Sequence, residues 1–294
     1  MNENKTNINW YPGHMAKTKK QIVDDLKLVD IVIELLDARI PISSQNPDIA
    51  GLVQSKKRIV ILNKADLADS NETKRWVNYF AKSNIPAIEA DCNKGFGIDK
   101  VNKTIEKLMK EKLEQEAQKG RIGKTIRVMI VGIPNVGKSS FINRFSKKIT
   151  MAVGNKPGVT RQKQWIRIGK NIELLDTPGV LWPKFDNKVG LNLAYTGSIK
   201  DDVIDNVEVA YNLIQFLEKN YSKNLFEKYK ISEEDISKIK NSSQYYLELM
   251  YLIGRKRGAL ISGGEIDENK VANIVLDDFR SGKLGTITIE KVED

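Results

Sequence analysis

Short apolar runs rich in β-branched residues alternate with helix-period stretches through the first two thirds of the chain. That alternation predicts an α/β domain, a mainly parallel sheet covered by helices. Strands are expected at residues 31–36, 58–62, 87–90, 126–131, 164–168 and 172–175. Helices are expected at 71–81, at 98–118 with Val101, Ile105, Leu108 and Met109 on one face, and at 138–145 after a glycine-rich loop. After Pro183 the alternation stops. Val209, Leu213, Ile214, Leu217 and Tyr221 recur at helical spacing, as do Val271, Ile274, Val275 and Phe279. The chain is therefore expected to comprise an N-terminal segment (1–20), an α/β domain (21–183) and a smaller all-helical domain (184–294), with no internal repeat.

Composition narrows the function classes. With 294 residues, 40% of them hydrophobic, the chain can bury two cores, so wholesale disorder is excluded. The most apolar run, 31–36, is interrupted by Glu34, and no stretch reaches the roughly 18 apolar residues of a spanning helix, so no membrane partner is expected. Residues 1–10 are polar and rich in Asn, unlike a secretory signal. Cys92 is the only cysteine, which excludes an internal disulfide and suits a reducing cytoplasm.

The net charge of +10 is divided unevenly: residues 1–186 carry 33 basic and 20 acidic side chains, the remainder 15 and 18. From Phe141 to Lys170 there is no acid, while Arg144, Lys147, Lys148, Lys156, Arg161, Lys163, Arg167 and Lys170 are all basic. Such a run attracts phosphate backbones, and Trp165 within it is a candidate stacking surface, so nucleic acid is an expected partner.

Three motifs carry chemistry. Gly132-Ile133-Pro134-Asn135-Val136-Gly137-Lys138-Ser139 follows a strand and opens a helix, the context of a phosphate-binding loop. Loop amides from Asn135 to Ser140 are expected to cradle phosphates, with Lys138 adding charge and the Ser139 hydroxyl ligating Mg2+. Asn63-Lys64-Ala65-Asp66 ends the second strand, where ligand loops gather in open sheets. The Asp66 carboxylate can accept from the ring N–H and amino group of guanine, whereas adenine would leave it unpaired. Asn63 would meet a base edge and pin the loop, and the Lys64 stem would cover the ring. Asp176-Thr177-Pro178-Gly179 ends the last strand, so that Asp176 can hold Mg2+ through water and the Gly179 N–H can reach a γ-phosphate. Thr160, between these motifs, offers a further Mg2+ hydroxyl.

Together the motifs resemble the translation-factor-related GTPases, with base recognition at Asn63 preceding the phosphate loop, as in a circularly permuted domain. Asp91 and the Cys92-Asn93-Lys94 segment fall where that family has its Ser-Ala-Lys-like base loop, in a degenerate match. Trp10-Tyr11-Pro12-Gly13-His14-Met15-Ala16-Lys17, Asp37-Ala38-Arg39-Ile40-Pro41 and the helical tail closely resemble the YlqF-type ribosome biogenesis GTPases. The resemblance implies GTP as substrate and a cytoplasmic factor, expected to be monomeric, that joins a large ribosomal subunit precursor and its rRNA and leaves on hydrolysis, with no DNA partner. Val180 and Leu181 stand where many GTPases carry a water-orienting Gln, and the resemblance points to His14 for that catalytic role. It also points to Asn135 as a K+ ligand. In the net-acidic tail only Arg255-Lys256-Arg257 and Arg280 with Lys283 are expected to reach RNA phosphates. A nucleotide-dependent RNA-binding scaffold with negligible turnover, and a small-subunit assembly GTPase, remain open alternatives.

Overall fold

The computed structural model describes residues 20–53, 56–121, 123–150, 165–169, 171–177, 179, 181–182 and 185–293. His14, Thr160 and much of the acid-free basic run lie outside them. Two compact units emerge, one of Phe185–Ile287 and one of the described residues of Asn9–Lys184 with Thr288–Asp294.

The larger unit holds a six-stranded sheet in the order β3-β2-β1-β4-β6-β5. Its strands are β1 (Ile31–Asp37), β2 (Lys57–Asn63), β3 (Ala87–Glu89), β4 (Ile126–Val131), β5 (Trp165–Ile168) and β6 (Ile172–Asp176). All neighbours are parallel except β5, which runs antiparallel to β6. Counted from β4, the order becomes 2-3-1-4-5-6, so the chain enters the sheet half-way through and the permutation is visible in the topology. β1 is buried at every position, including Glu34, which pairs with Arg58 of β2. A centrally placed parallel strand has helices over both faces and therefore reads as a continuous apolar run.

Helices α1 (20–26), α2 (Pro47–Leu52), α3 (Ser70–Lys82), α4 (Ile98–Gln118) and α5 (Lys138–Thr150) surround the sheet. From α1, Ile22 and Leu26 pack with Val32, Met129, Val131 and Leu175; from α3, Trp76 and Phe80 pack with Leu36, Val60 and Leu62. Asp69 caps α3 by accepting from the N–H groups of Asn71 and Glu72.

The final residues differ from the sequence expectation, which kept them in the helical domain. The Glu290 carboxylate accepts from Ile42 N (2.7 Å), Ser43 N and Ser43 Oγ, while Trp76 Nε1 donates to the Glu290 carbonyl at 2.8 Å. Ile289 N donates to the Arg39 carbonyl (2.9 Å), and Arg75 Nη2 to that of Val292 (2.9 Å). The tail is thus a strap over α3 and the Asp37–Pro41 turn.

The second unit contains α6 (Asn187–Tyr195), α7 (Asn206–Tyr229), α8 (Glu233–Ile239), α9 (Tyr245–Arg257) and α10 (Glu268–Arg280). Acid or Ser N-caps start most of them, with a reciprocal capping box between Ser232 and Asp235 on α8. Val209, Leu213, Ile214 and Leu217 are buried as their spacing predicts, but α7 kinks at Tyr221 (φ −143°). Arg280 is not the RNA-facing cation expected. Both its Nη atoms pair with Asp201 at 2.8 Å, Nε donates to the Tyr195 carbonyl and Nη2 also to that of Ala194, so the guanidinium ties α10 to α6. Lys283 faces Asp278 at 3.7 Å and Lys256 faces Asp235 at 2.7 Å, while Arg255 and Arg257 are exposed at the end of α9.

Candidate functional site

The C-terminal ends of β1, β2, β3, β4 and β6 deliver the expected motifs to one edge of the sheet. The loop from Gly132 to Gly137 leaves β4 and enters α5 at Lys138, with Asn135 in the left-handed region (φ 57°). Asn63, at the end of β2, joins the parts: its Nδ2 donates to the Val136 carbonyl at 2.7 Å and its Oδ1 accepts from Cys92 N at 3.0 Å. One buried amide therefore fixes the base turn, the phosphate loop and the loop after β3 against each other. The pinning of the loop expected of Asn63 takes the form of this bridge. A Cβ at Gly137 would lie 2.2 Å from Asn63 Nδ2, on a backbone with φ +102°, so the contact requires glycine.

Lys138 Nζ donates to the carbonyls of Gly132 (3.0 Å) and Ile133 (2.9 Å), spanning the ring that phosphates would fill. Enclosure lowers its ammonium to about 8, against the upward pull of Asp176. Asp176, at the end of β6, is pushed up by partial burial and drawn down by Lys138. Gly179 packs so closely that a Cβ there would meet Lys138 Nζ at 2.6 Å and Pro134 N at 3.0 Å. Thr177 Oγ1 donates to the Ile130 carbonyl at 2.6 Å, tying this segment to β4. Ser139 is exposed at the start of α5 and Ser140 is half-buried behind it. Among the described residues no cluster of three or more His, Cys, Asp or Glu side chains could hold a metal. The available donors, the Ser139 hydroxyl and the Asp176 carboxylate, are hard oxygens of the kind Mg2+ takes when phosphate and water complete its shell.

At the base side, Ala65–Leu67 form a short 3-10 turn entered through Lys64 in the left-handed region (φ 59°). Lys64 Nζ pairs with Asp37 Oδ2 at 3.0 Å. Asp37 is itself gripped by Arg39, Nε at 2.9 Å and Nη2 at 2.8 Å, and both residues are only 1% exposed. Burial alone would raise the Asp37 carboxyl, but Arg39 and Lys64 hold it well below the usual carboxylate range. Asp66 is half-exposed, its Oδ2 3.2 Å from Lys94 Nζ. Arg144 of α5 donates through Nε to the Asn93 carbonyl at 3.0 Å, so the phosphate-loop helix also holds the loop after β3. Neither Arg144 nor the Asp37–Arg39 pair was read from the sequence as part of the base site. In the sequence Arg144 belongs to the acid-free basic run, and the pair to the Asp37–Pro41 motif that carries the family resemblance.

One further expectation needs correction. Trp165 is half-buried against the β4 and β6 core, and the Arg127 guanidinium sits 5.0 Å over its ring, so it is not an open stacking surface. Cys92 turns its thiol inward, where burial and the Asp91 charge push it up to about 12; its contribution here is its backbone N–H. Native protein at pH 8 should therefore react with a neutral disulfide reagent at least about a hundredfold more slowly than denatured protein. Equal rates in a stopped-flow thiol assay would contradict this burial.

Residues 127–247 match a family described as 50S ribosome-binding GTPase. The chain is 46% identical over 290 residues to ribosome biogenesis GTPase A of Bacillus cereus, covering 98% of this chain and 95% of that one. It is 31% identical to the protein of the same name from Thermotoga maritima, over 98% of this chain and 95% of the other. Among solved structures it resembles GDP-bound YlqF of T. maritima (TM-score 0.65, 28% identity, 93% of this chain and all of that one). The T. maritima YlqF bound to GNP gives a TM-score of 0.63 at 28% identity, over 95% of this chain and 99% of that one.

Proposed function

This chain belongs to the ribosome biogenesis GTPase A family, and on that premise we propose that it hydrolyses GTP as an assembly factor for the large ribosomal subunit. The observation that carries the reading is the Asn63 bridge. It ties the turn that would read guanine to the phosphate loop, which supports a site that receives both ends of one nucleotide. Large-subunit specificity is supported by the description of the matching family as 50S ribosome-binding.

Asp66 accepts from the guanine edge, the Lys64 stem covers the ring, and the backbone of Asp91 and Cys92 lines the far side. Amides of Asn135, Val136, Gly137, Lys138, Ser139 and Ser140 receive the phosphates, and Lys138 leaves the Gly132 and Ile133 carbonyls to reach them. Mg2+ neutralises charge developing on the phosphates when bound, and Ser139, Asp176 and Thr160 are the residues that would hold it. The Asn135 side-chain carbonyl is suited to K+ in the same way. Gly179 offers its N–H to the γ-phosphate, and the chain runs from there through buried Leu181 and Trp182 into the helical unit, so the γ-phosphate biases that unit.

Leu181 is 3% exposed and apolar, so it cannot orient water by hydrogen bonding. We assign that task to His14, brought in when the N-terminal segment meets its RNA partner. The basic residues of the larger unit bind rRNA in the GTP state, and hydrolysis releases the factor into the cytoplasm. No helix of the described residues is long and apolar enough to cross a membrane. The buried Leu181 equally favours a second reading, a nucleotide-dependent RNA-binding scaffold with negligible turnover.

Steady-state GTP hydrolysis in K+ buffer, with large or small subunits and with wild type or His14→Ala, decides between them. Large subunits alone should stimulate turnover, Na+ in place of K+ should lower it, and His14→Ala should lose the stimulation, by about 10²-fold or more. Stimulation retained in His14→Ala removes the histidine from catalysis. Stimulation by small subunits only overturns the large-subunit assignment. Nucleotide-dependent rRNA binding without turnover favours the scaffold.

A further inference from the structure

The loop after β3 places a second carboxylate beside the one that reads the base. Asp91 is 4% exposed, and its Oδ1 accepts from the N–H groups of Asn93 (2.9 Å) and Lys94 (3.0 Å), which closes the turn. Its Oδ2 accepts no hydrogen bond among the described residues and faces Lys94 Nζ at 3.4 Å. The same ammonium lies 3.2 Å from Asp66 Oδ2. A single cation thus stands between two carboxylates, one locked in place by its turn and one on the neighbouring base turn.

Asp66 reads guanine only while it is charged and correctly aimed, because both hydrogen bonds are accepted by a carboxylate. A fixed negative neighbour works against the aim, because like charge pushes the half-exposed Asp66 side chain outward. Each carboxylate oxygen can accept more than one hydrogen bond, so Lys94 can remain on Asp66 Oδ2 while guanine binds. The 73% exposure of the Lys94 side chain keeps its interaction screened and moderate, whereas Asp91 cannot move away.

Resting on the GTPase reading above, we propose that Lys94 is a positioning residue for guanine recognition: it neutralises buried Asp91 and thereby holds Asp66 in place to read the base. The role belongs to the base end of the site alone, so GDP and GTP affinities depend on it equally. The phosphate-end chemistry does not depend on it.

The test is a double-variant cycle on the full-length protein, with fluorescent GDP and a non-hydrolysable GTP analogue as probes. Lys94→Met should raise both Kd values together, by about three- to tenfold at low salt and less at 1 M salt, and raise KM while leaving kcat at wild type. Lys94→Arg should retain the affinity. Asp91→Asn keeps the turn-closing acceptor and removes the charge, so the Asp91→Asn/Lys94→Met double variant should recover most of the affinity lost in Lys94→Met. Thermal melts of each variant verify folding, which an exposed lysine is not expected to affect. Unchanged affinity in Lys94→Met, a loss confined to one nucleotide, or no recovery in the double variant would overturn the proposal and leave the GTPase reading intact. Wild type that binds neither nucleotide would overturn both.

Discussion

Replacing Gly137 with alanine is expected to lower GTP and GDP affinity by at least about 10²-fold while leaving the protein folded. The added Cβ falls 2.2 Å from Asn63 Nδ2, closer than any real contact, and Asn63 is buried with no room to retreat. Either the loop shifts or the amide lets go of the Val136 carbonyl and Cys92 N–H, leaving buried polar groups unpaired at about 1–3 kcal/mol each. The φ of +102° adds roughly 1–3 kcal/mol of strain for a residue with a side chain. Both costs fall on the folded protein, so at roughly 2–4 °C per kcal/mol the melting temperature should drop by about 10 °C, and nucleotide titration well below that midpoint shows the loss of affinity. Asn63→Ala makes space for the methyl group but severs the bridge. The Gly137→Ala/Asn63→Ala pair should consequently be far less than additive, and full additivity in the cycle would mean that the two residues do not act through one contact.

The parts of this molecule legible in its sequence are those whose physics is local. β4 (Ile126–Val131) and α4 (Ile98–Gln118) appear at the expected bounds because burial on both strand faces and a 3.6-residue apolar stripe leave periodic traces. The phosphate loop is legible for the same reason, its glycines and lysine all lying between positions 132 and 138. The strap was not, since Glu290 docks through one carboxylate on the N–H groups of Ile42 and Ser43, nearly the whole chain away, and nothing in its neighbours records that partner. What an individual basic residue does is not legible from its place in a basic run. Arg280 and Arg144 look like surface cations in sequence, yet their guanidinium groups are engaged by backbone carbonyls, and a fork of five donors finds such partners whenever helices end nearby. Trp165 is not an open stacking surface because Arg127 of β4 reaches across β6 to cover its ring, a relation between non-adjacent strands that depends on register.

Asp37 and Arg39 show how a stability element and a site element can be the same residues. Asp37→Ala is expected to destabilise the protein by about 3–5 kcal/mol, because it strips the buried Arg39 guanidinium of its bidentate counter-ion. At roughly 2–4 °C per kcal/mol for a domain of this size, the melting temperature should fall by about 10 °C. The sign of the pH dependence follows from the depressed folded-state carboxyl: its stabilisation is present above the unfolded carboxylate value of about 4 and is lost as pH falls below it. The gap in stability between wild type and Asp37→Ala should therefore narrow on acidification below about pH 4. Replacing the pair together, as Asp37→Leu/Arg39→Met, removes both buried charges and should recover much of the stability. It should not recover nucleotide affinity, because Lys64 still lacks the Asp37 oxygen 3.0 Å away that fixes its stem beside the base turn. Affinity recovering in step with stability would reduce the pair to a structural brace. Stability recovered without affinity would identify Asp37 as the anchor through which the end of β1 shapes the guanine site.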